Sequence, residues 1–390
     1  MSFEIDERLL PQDRWAWVEI DLEAIKKNAR AWKSFTKEPT RFCAVVKANA
    51  YGHGSVRVAQ ALRSVGVDMF AVATVAEGQR LREGGITEPI ILLAQPPITS
   101  VGTLVEKRIM PAVYDLEFLG KLSEEALAQG TVARYHLAVD TGMDRIGVAP
   151  ADAAEFMRMA EKLRGVAVDG TFTHFATADR LTDWDFTVQA GRFQDAVKSI
   201  RDAGIDPGIV HCANTPTTVL HPEYHFDMVR VGVGLYGLHP ADTTRDKIEL
   251  TQAMSVRARV TRAVEPKVGE GVGYGMTYRV AHEGTQICTI PLGYADGLSR
   301  VYSNNLSVLC QGRRLRQVGN ICMDQCMFEV PADLIASREA FRPVEEGDVV
   351  TLVGRDGDEF VSIEELAEKL GTINYEVACQ FDIRLPKVFI

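Results

Sequence analysis

The sequence predicts an α/β fold: a (β/α)8 TIM-type barrel followed by a mostly β C-terminal domain. Three observations carry this: eight short apolar runs between about residues 40 and 235, amphipathic stretches between them, and a change of texture after about residue 250. The runs are FCAVVKA (42–48), MFAVATV (69–75), IILLA (90–94), MPAVY (110–114), YHLAVD (135–140), TFTHFA (171–176), IVHCAN (209–214) and MVRVGVG (228–234). They do not alternate with polar residues, as expected of parallel strands buried on both faces. Spacers such as AEGQRLREGG (76–85) are amphipathic. Eight such strand–helix units suit a barrel, with a doubly wound open sheet as the competing arrangement.

The later segments are shorter and partly alternating. SVRARVTRAVE (255–265), TQICTIPLGYA (285–295), NLSVLCQGRRLRQVG (305–319), QCMFEV (325–330) and DVVTLVG (348–354) are separated by turn-rich EPKVGEG, QGRR and GRDGDE. That pattern reads as a β domain. Within it, SIEELAEKLG (362–371) reads as a helix: Ser362 is a candidate N-cap, Glu365 has the capping-box spacing and Gly371 is a C-terminal stop. The expected division is a barrel over 18–248 and a β domain over 249–390, with residues 1–17 a candidate to pack on the latter.

Bulk properties narrow the function. The chain has 390 residues, with 53 acidic against 43 basic side chains, a formal net charge of −10. That disfavours nucleic-acid binding, which needs a basic face. Seven cysteines at wide spacing, none in a CxxC pair, argue for reduced thiols rather than a disulfide framework. Cys322 and Cys326 lack two further ligands, so no metal is expected. The N-terminal MSFEIDERLLPQDRW has no apolar h-region, and no run approaches the ~20 apolar residues of a membrane span. A soluble, cytoplasmic protein without membrane contact is expected.

AVVKANAYGHG (44–54) is the most informative stretch for chemistry. A lysine ending a buried strand would be desolvated, and desolvation favours the neutral amine that Schiff-base chemistry requires. Barrel enzymes carry catalytic groups at the C-terminal ends of strands, where Lys47 would lie. By chemistry alone Lys47 can equally be a lysine leaving the barrel mouth for water. Likewise, Tyr274 between Gly273 and Gly275 reads as a turn tyrosine, and Arg230 as a strand-end arginine whose apolar run and following glycines argue against full exposure.

VKANAYGHG resembles the cofactor-lysine motif of the alanine racemase family. HLAVDTGMDRIG (136–147), THFATAD (173–179), HCANT (211–215), MVRVGVGLYG (228–237), GVGYGMTY (271–278), PLGYADG (291–297), GNICMDQ (319–325) and TINYEVAC (372–379) each resemble a family segment, in family order, across nearly the whole chain. The resemblance implies a barrel plus a β domain, pyridoxal 5'-phosphate as cofactor, and racemisation of alanine. Lys47 would hold the cofactor covalently and act as base toward the D-isomer. Tyr274 would act on the opposite face, toward the L-isomer, with His174 as its polar neighbour; a phenol otherwise titrates near pH 10. Because two bases in different domains serve one site, the resemblance implies a homodimer with shared active sites. Arg230 would face the cofactor's ring nitrogen, and its permanent charge would leave that nitrogen largely unprotonated. Tyr51, Asn214, Thr215, Gly232, Val233 and Tyr375 would line the cofactor, with Thr215 standing where the family commonly has serine. Arg145 and the amide of Met323 would hold the substrate carboxylate. His211, Tyr294 and Asp324 would lie behind the site or at its entrance.

One departure stands out. Many family members carry a carbamylated lysine before DTGM, and its charge holds the Arg145 equivalent; here Ala138 occupies that place. Arg145 must then find another anion, a bound chloride or a nearby carboxylate. The family further implies supply of D-alanine for peptidoglycan. Rival readings are a racemase of broader specificity (serine, lysine or arginine), a barrel-fold decarboxylase, which would set an acid rather than Arg230 at the ring nitrogen, and a non-enzymatic cofactor-binding barrel, which would lack residues 250–390.

Overall fold

The computed structural model describes residues 13–180, 184–337, 341–381 and 384–390. It divides into two compact units, one over Ile25–Thr251 and the other comprising residues 13–24 together with Gln252–Ile390. Of the segment 1–17 expected to pack on the β domain, residues 1–12 lie outside the described residues.

In chain order, β1 is Ala16–Ile20, and the first unit holds β2 (Arg41–Val45), β3 (Met69–Val72), β4 (Ile90–Leu92), β5 (Ile109–Val113), β6 (Ala133–Ala138), β7 (Val166–Phe172), β8 (Ile209–His211) and β9 (Met228–Val231). Each overlaps one apolar run of the sequence, although β7 starts five residues before TFTHFA and shares only Thr171 and Phe172 with it. They form a parallel eight-stranded sheet in the order β8-β7-β6-β5-β4-β3-β2-β9. β2 pairs with both β3 and β9, so the sheet curls almost shut. The gap between β8 and β9 is bridged by Asp227 N to Val210 O (3.0 Å) and Arg230 N to Ala213 O (2.9 Å). The expected (β/α)8 barrel is therefore the observed one. Strands such as β3 and β4 are buried at every residue, which is why their sequences do not alternate. β6 and β7 slip register between Tyr135 and His136: Tyr135 faces Val168 while His136 faces Gly170, leaving Asp169 as a bulge residue.

The second unit continues with β10 (Met254–Arg259), β11 (Arg262–Val264), β12 (Gly271–Val272), β13 (Tyr278–Arg279), β14 (Gln286–Ile290), β15 (Ser307–Cys310), β16 (Arg313–Val318), β17 (Cys326–Val330), β18 (Val349–Asp356), β19 (Glu359–Val361) and β20 (Lys387–Phe389). Its main sheet runs β11-β14-β17-β16-β15-β18-β10-β1-β20, with β19 on β18. β1 is a strand of this sheet, antiparallel to β10 and parallel to β20. β12 and β13 form a separate ribbon. β10 alternates buried and half-buried residues, as a sheet covered on one face should. The helix Ile363–Leu370 begins and ends where its sequence indicates: Ser362 accepts from the Glu365 amide, and Gly371 closes it at φ +71°. Glu365's carboxylate takes Arg314 (2.9 Å).

Candidate active site

Lys47 follows β2 and stands half-buried at the head of an unusual turn. Ala48, Asn49, Ala50 and Tyr51 are all left-handed, at φ +50°, +52°, +57° and +52°. Each non-glycine residue there costs roughly 1–2 kcal/mol, so the turn persists only because its surroundings over-determine it. Internal bonds run from Gly52 N to Ala48 O and Gly54 N to Asn49 O. Asn49 Oδ1 accepts from the Ser55 amide (2.9 Å), and buried His53 shares its Nδ1 with the carbonyls of Ala50 and Tyr51. Glu77, which the sequence reading passed over, joins the turn to the end of β3. Its Oε1 accepts the Ala48 amide at 2.6 Å, and its Oε2 accepts those of Ala73 and Thr74. The signal was present as Thr74-x-x-Glu77, a capping box opening the helix Val75–Glu83.

A cavity of about 230 Å³ opens at the C-terminal ends of the barrel strands. Lys47, Arg145, His174 and Arg230 line it, with Ala73, Leu93, Ala138, Asp140, Phe172 and Thr173 among the remaining walls. These four residues, dispersed over more than 180 positions of sequence, are thus brought together. Three are cations and one wall residue is acidic, so the cavity suits an anionic ligand. Burial, then Arg230, Arg145 and Lys47, hold the His174 imidazole well below the ordinary histidine range. Arg230 Nη2 donates to His174 Nδ1 (3.2 Å) and to Thr173 O (2.9 Å). Arginine can only donate, so His174 is neutral with its hydrogen on Nε2.

Arg230 is a buried cation, 3% exposed, and burial brings its pKa down to about 10. Beside it, the Gly232 amide donates to Thr215 Oγ1 (3.0 Å). A Cβ on Gly232 would come within 2.6 Å of Tyr51 Oη, so glycine leaves this hydroxyl and amide room to converge. Val233 opens a buried 3-10 turn, Val233–Tyr236. Asn214 caps the helix Thr215–Leu220, its Oδ1 accepting from the Thr217 amide and hydroxyl. His211 lies fully buried behind Arg230 and receives its Nη1–H at 2.8 Å. Arg145 is exposed, and among the described residues no carboxylate pairs with it. Asp140, the acid that lines the cavity, spends Oδ1 on the amides of Gly142, Met143 and Asp144. Ala138 sits in an apolar cluster with Ala112 and Phe172, covered by Leu93, Tyr114 and Ile146.

Tyr274, Tyr294, Met323, Asp324 and Tyr375 belong to the second unit. Tyr274 is 74% exposed, between Gly273 (φ +69°) and Gly275 (φ +73°). Its carbonyl accepts from Asn320 Nδ2 at 2.7 Å. Met323 and Tyr294 are adjacent: the amides of Tyr294 and Ala295 donate to the carbonyls of Cys322 and Met323. Both side chains are exposed. Asp324 pairs with Arg384 (2.9 Å). Tyr375 is half-buried in the helix Asn374–Gln380.

Two family models match: the alanine racemase N-terminal domain over residues 20–240 and the alanine racemase C-terminal domain over residues 253–389. The chain belongs to the alanine racemase family. It is thereby an amino-acid racemase of the isomerase class. It is 41% identical over 376 residues to an alanine racemase of Symbiobacterium thermophilum, covering 96% of this chain and 97% of that one. It is 39% identical to one of Methanococcus maripaludis, covering 96% and 98%. Among solved structures, it resembles the alanine racemase of Clostridium difficile 630 with TM-score 0.89 and 36% identity, covering 96% of each chain. The alanine racemase from Bacillus anthracis with bound L-Ala-P gives TM-score 0.89 and 35% identity, covering 98% of this chain and 96% of that one. The family shares the observed architecture of a barrel and a mostly β second domain. Among the described residues no helix is long and apolar enough to cross a membrane.

Proposed function

We propose that this protein interconverts L-alanine and D-alanine with pyridoxal 5'-phosphate, one base acting on each face of the substrate Cα. The observation that carries the reading is the convergence of Lys47, Arg145, His174 and Arg230 on one cavity at the barrel's catalytic end. The residues present fit the cofactor. The cavity's cations suit its anionic charge, and the Gly232 amide, Thr215 Oγ1 and Tyr51 Oη make a small cradle that a Cβ would fill. Gly232, Val233, Thr215, Tyr51 and Tyr375 would hold its phosphate, Arg230 its ring nitrogen, and Lys47 its aldehyde carbon; Asn214 would support the cradle through the helix it caps. Bound there, the cofactor supplies the electron withdrawal that makes the substrate Cα–H acidic.

Lys47 Nζ takes or returns the Cα proton on the face used by the D-isomer. Tyr274 Oη does so on the opposite face, for the L-isomer. His174 serves the phenol: with Nδ1 occupied by Arg230, its Nε2–H can donate to the phenolate and lower the cost of forming it. Arg145 and the Met323 amide orient the substrate carboxylate, and Tyr294 and Asp324 shape the entrance, with His211 behind Arg230. We infer that a second copy of the chain presents Tyr274 to this cavity, giving a homodimer with shared sites. The exposure of Tyr274, Met276 and Met323 (74%, 58% and 54%) supports a covered surface there. A small anion beside Arg145 takes the place of the carbamylated lysine absent at Ala138. The setting is cytoplasmic supply of D-alanine for peptidoglycan.

A chiral product assay on purified protein with added cofactor, run on a panel of amino acids, tests this reading. Alanine should racemise fastest and the loaded protein should absorb visible light. Failure to absorb after incubation with cofactor, or a preference for another amino acid, would overturn it.

A further inference from the structure

Arg230 is a buried charge whose described contacts include no carboxylate. A buried cation without a counter-charge is costly. Its compensation can be followed through the barrel core. Arg230 Nη1 donates to His211 Nδ1 at 2.8 Å, which leaves the hydrogen of a neutral His211 on Nε2. His211 Nε2 lies 3.0 Å from His136 Nδ1, which must then accept, leaving His136 with its hydrogen on Nε2. His136 Nε2 faces Asp169 Oδ2 at 3.4 Å without an aligned hydrogen bond, so the coupling at this last step is that of the carboxylate charge to the dipole of a neutral imidazole. Asp169 Oδ1 in turn takes Arg134 at 2.7 Å. Every donor in the chain points away from Arg230 and toward the carboxylate.

The fold is shaped around this chain. Both imidazoles are completely buried. Asp169 is the bulge residue of β7, and bulges re-aim side chains near active sites. Gly170 follows it, where a Cβ would lie 2.5 Å from His136 Nδ1 and from Ile209 O, so only glycine admits the ring. Phe172 stacks on His211 (centroids 5.1 Å apart, 7° between planes) and lies 5.5 Å from the Arg230 guanidinium carbon. Burial also holds both imidazoles below the ordinary histidine range, consistent with neutral rings.

We propose that His136 and His211 form a one-directional hydrogen-bonded relay through the barrel core, ending against the Asp169 carboxylate, that orients Arg230 and links it to a distant counter-charge. Asp169 and His136 are positioning residues, acting on the reaction only through Arg230. The catalytic consequence rests on Arg230 facing the cofactor ring, whereas the chain itself does not. Losing the carboxylate should let the guanidinium shift, and the balance between racemisation and transamination with it.

The test has two arms. Long-range ¹⁵N–¹H correlation spectra of the purified dimer or monomer, as isolated, should show His136 and His211 as neutral Nε2–H tautomers at neutral pH. An Nδ1–H or doubly protonated His211 overturns the chain, whether or not the protein racemises alanine. In the second arm, Asp169→Asn keeps an acceptor atom and removes the charge. Racemisation should fall about tenfold, on the scale seen when a group orienting a functional residue from behind is lost, and the share of transamination should rise; Asp169→Glu should restore both in part. An unchanged product ratio in a folded Asp169→Asn protein overturns the positioning role. Should that variant fail to fold, the wild-type spectrum still decides whether the chain exists.

Discussion

Glu77 Oε1 accepts the backbone amide of Ala48 at 2.6 Å, directly after Lys47. The same carboxylate holds Ala73 and Thr74, so one side chain ties the left-handed turn that carries Lys47 to the end of the neighbouring strand. Removing it leaves amides without acceptors in a turn that is already strained. Glu77→Ala should lower stability by about 1–3 kcal/mol, and Glu77→Gln, which keeps one acceptor oxygen, by less. Thermal denaturation of the two variants checks the order; equal melting temperatures would mean water replaces the carboxylate freely.

The proposed pair of bases, Lys47 and Tyr274, makes separable predictions. In deuterated water, Tyr274→Phe should still exchange the Cα proton of D-alanine through Lys47. Its exchange on L-alanine should fall by about 10²–10⁴-fold, the usual contribution of a positioned acid–base group. Mass spectrometry of each enantiomer after partial reaction reads the difference. Equal loss for both isomers would point to one base serving both faces.

Gly232→Ala would place a methyl group 2.6 Å from Tyr51 Oη and 3.6 Å from Val45 Cβ. Overpacking of this kind costs roughly 1–3 kcal/mol, and here it falls on the cradle proposed for the cofactor phosphate. Cofactor affinity should drop by about tenfold or more, with the Thr215 contact still available. Titration of cofactor-free protein, followed by absorbance, measures it.

Buried His174 and His211 set a pH dependence of stability. Burial and Arg230 hold both below the ordinary histidine range. Unfolded histidine titrates near 6.5. Above that pH both states carry neutral rings and the native packing contributes in full. As pH falls below about 6.5 the unfolded chain takes up protons that the folded rings refuse, and stability is lost. Each ring contributes up to ~1.4 kcal/mol per pH unit in that window. Urea midpoints should therefore fall between about pH 7.5 and 5.5, and His174→Gln should flatten the slope.

The barrel strands were legible because strands buried on both faces must be apolar throughout, and each run, from FCAVVKA to MVRVGVG, met one strand of the sheet; β7, half-buried over Ala167–Asp169, was the one found only by its last two residues. The Ser362 cap and Gly371 stop were legible because caps are local: an N-cap oxygen reaches an amide three residues on. The segments around Lys47, Tyr274 and Arg230 were legible through their family likeness, and Lys47, His174 and Arg230 by composition alone would have stayed three unrelated residues. Only the tertiary structure decided which of them share a cavity, because strand ends far apart in sequence become neighbours when the sheet closes. It alone showed the left-handed turn after Lys47 and its clamp Glu77, since four consecutive positive φ values at Ala-Asn-Ala-Tyr contradict local preference and are held by a carboxylate reaching over from the helix Val75–Glu83. It alone revealed Asp169, which sequence pattern treats as one more polar residue in a strand; a one-residue bulge turns it toward His136. Local sequence determined the elements and their ends, while closure of the barrel determined which residues surround the cavity and which neighbours Arg230 and its imidazoles meet.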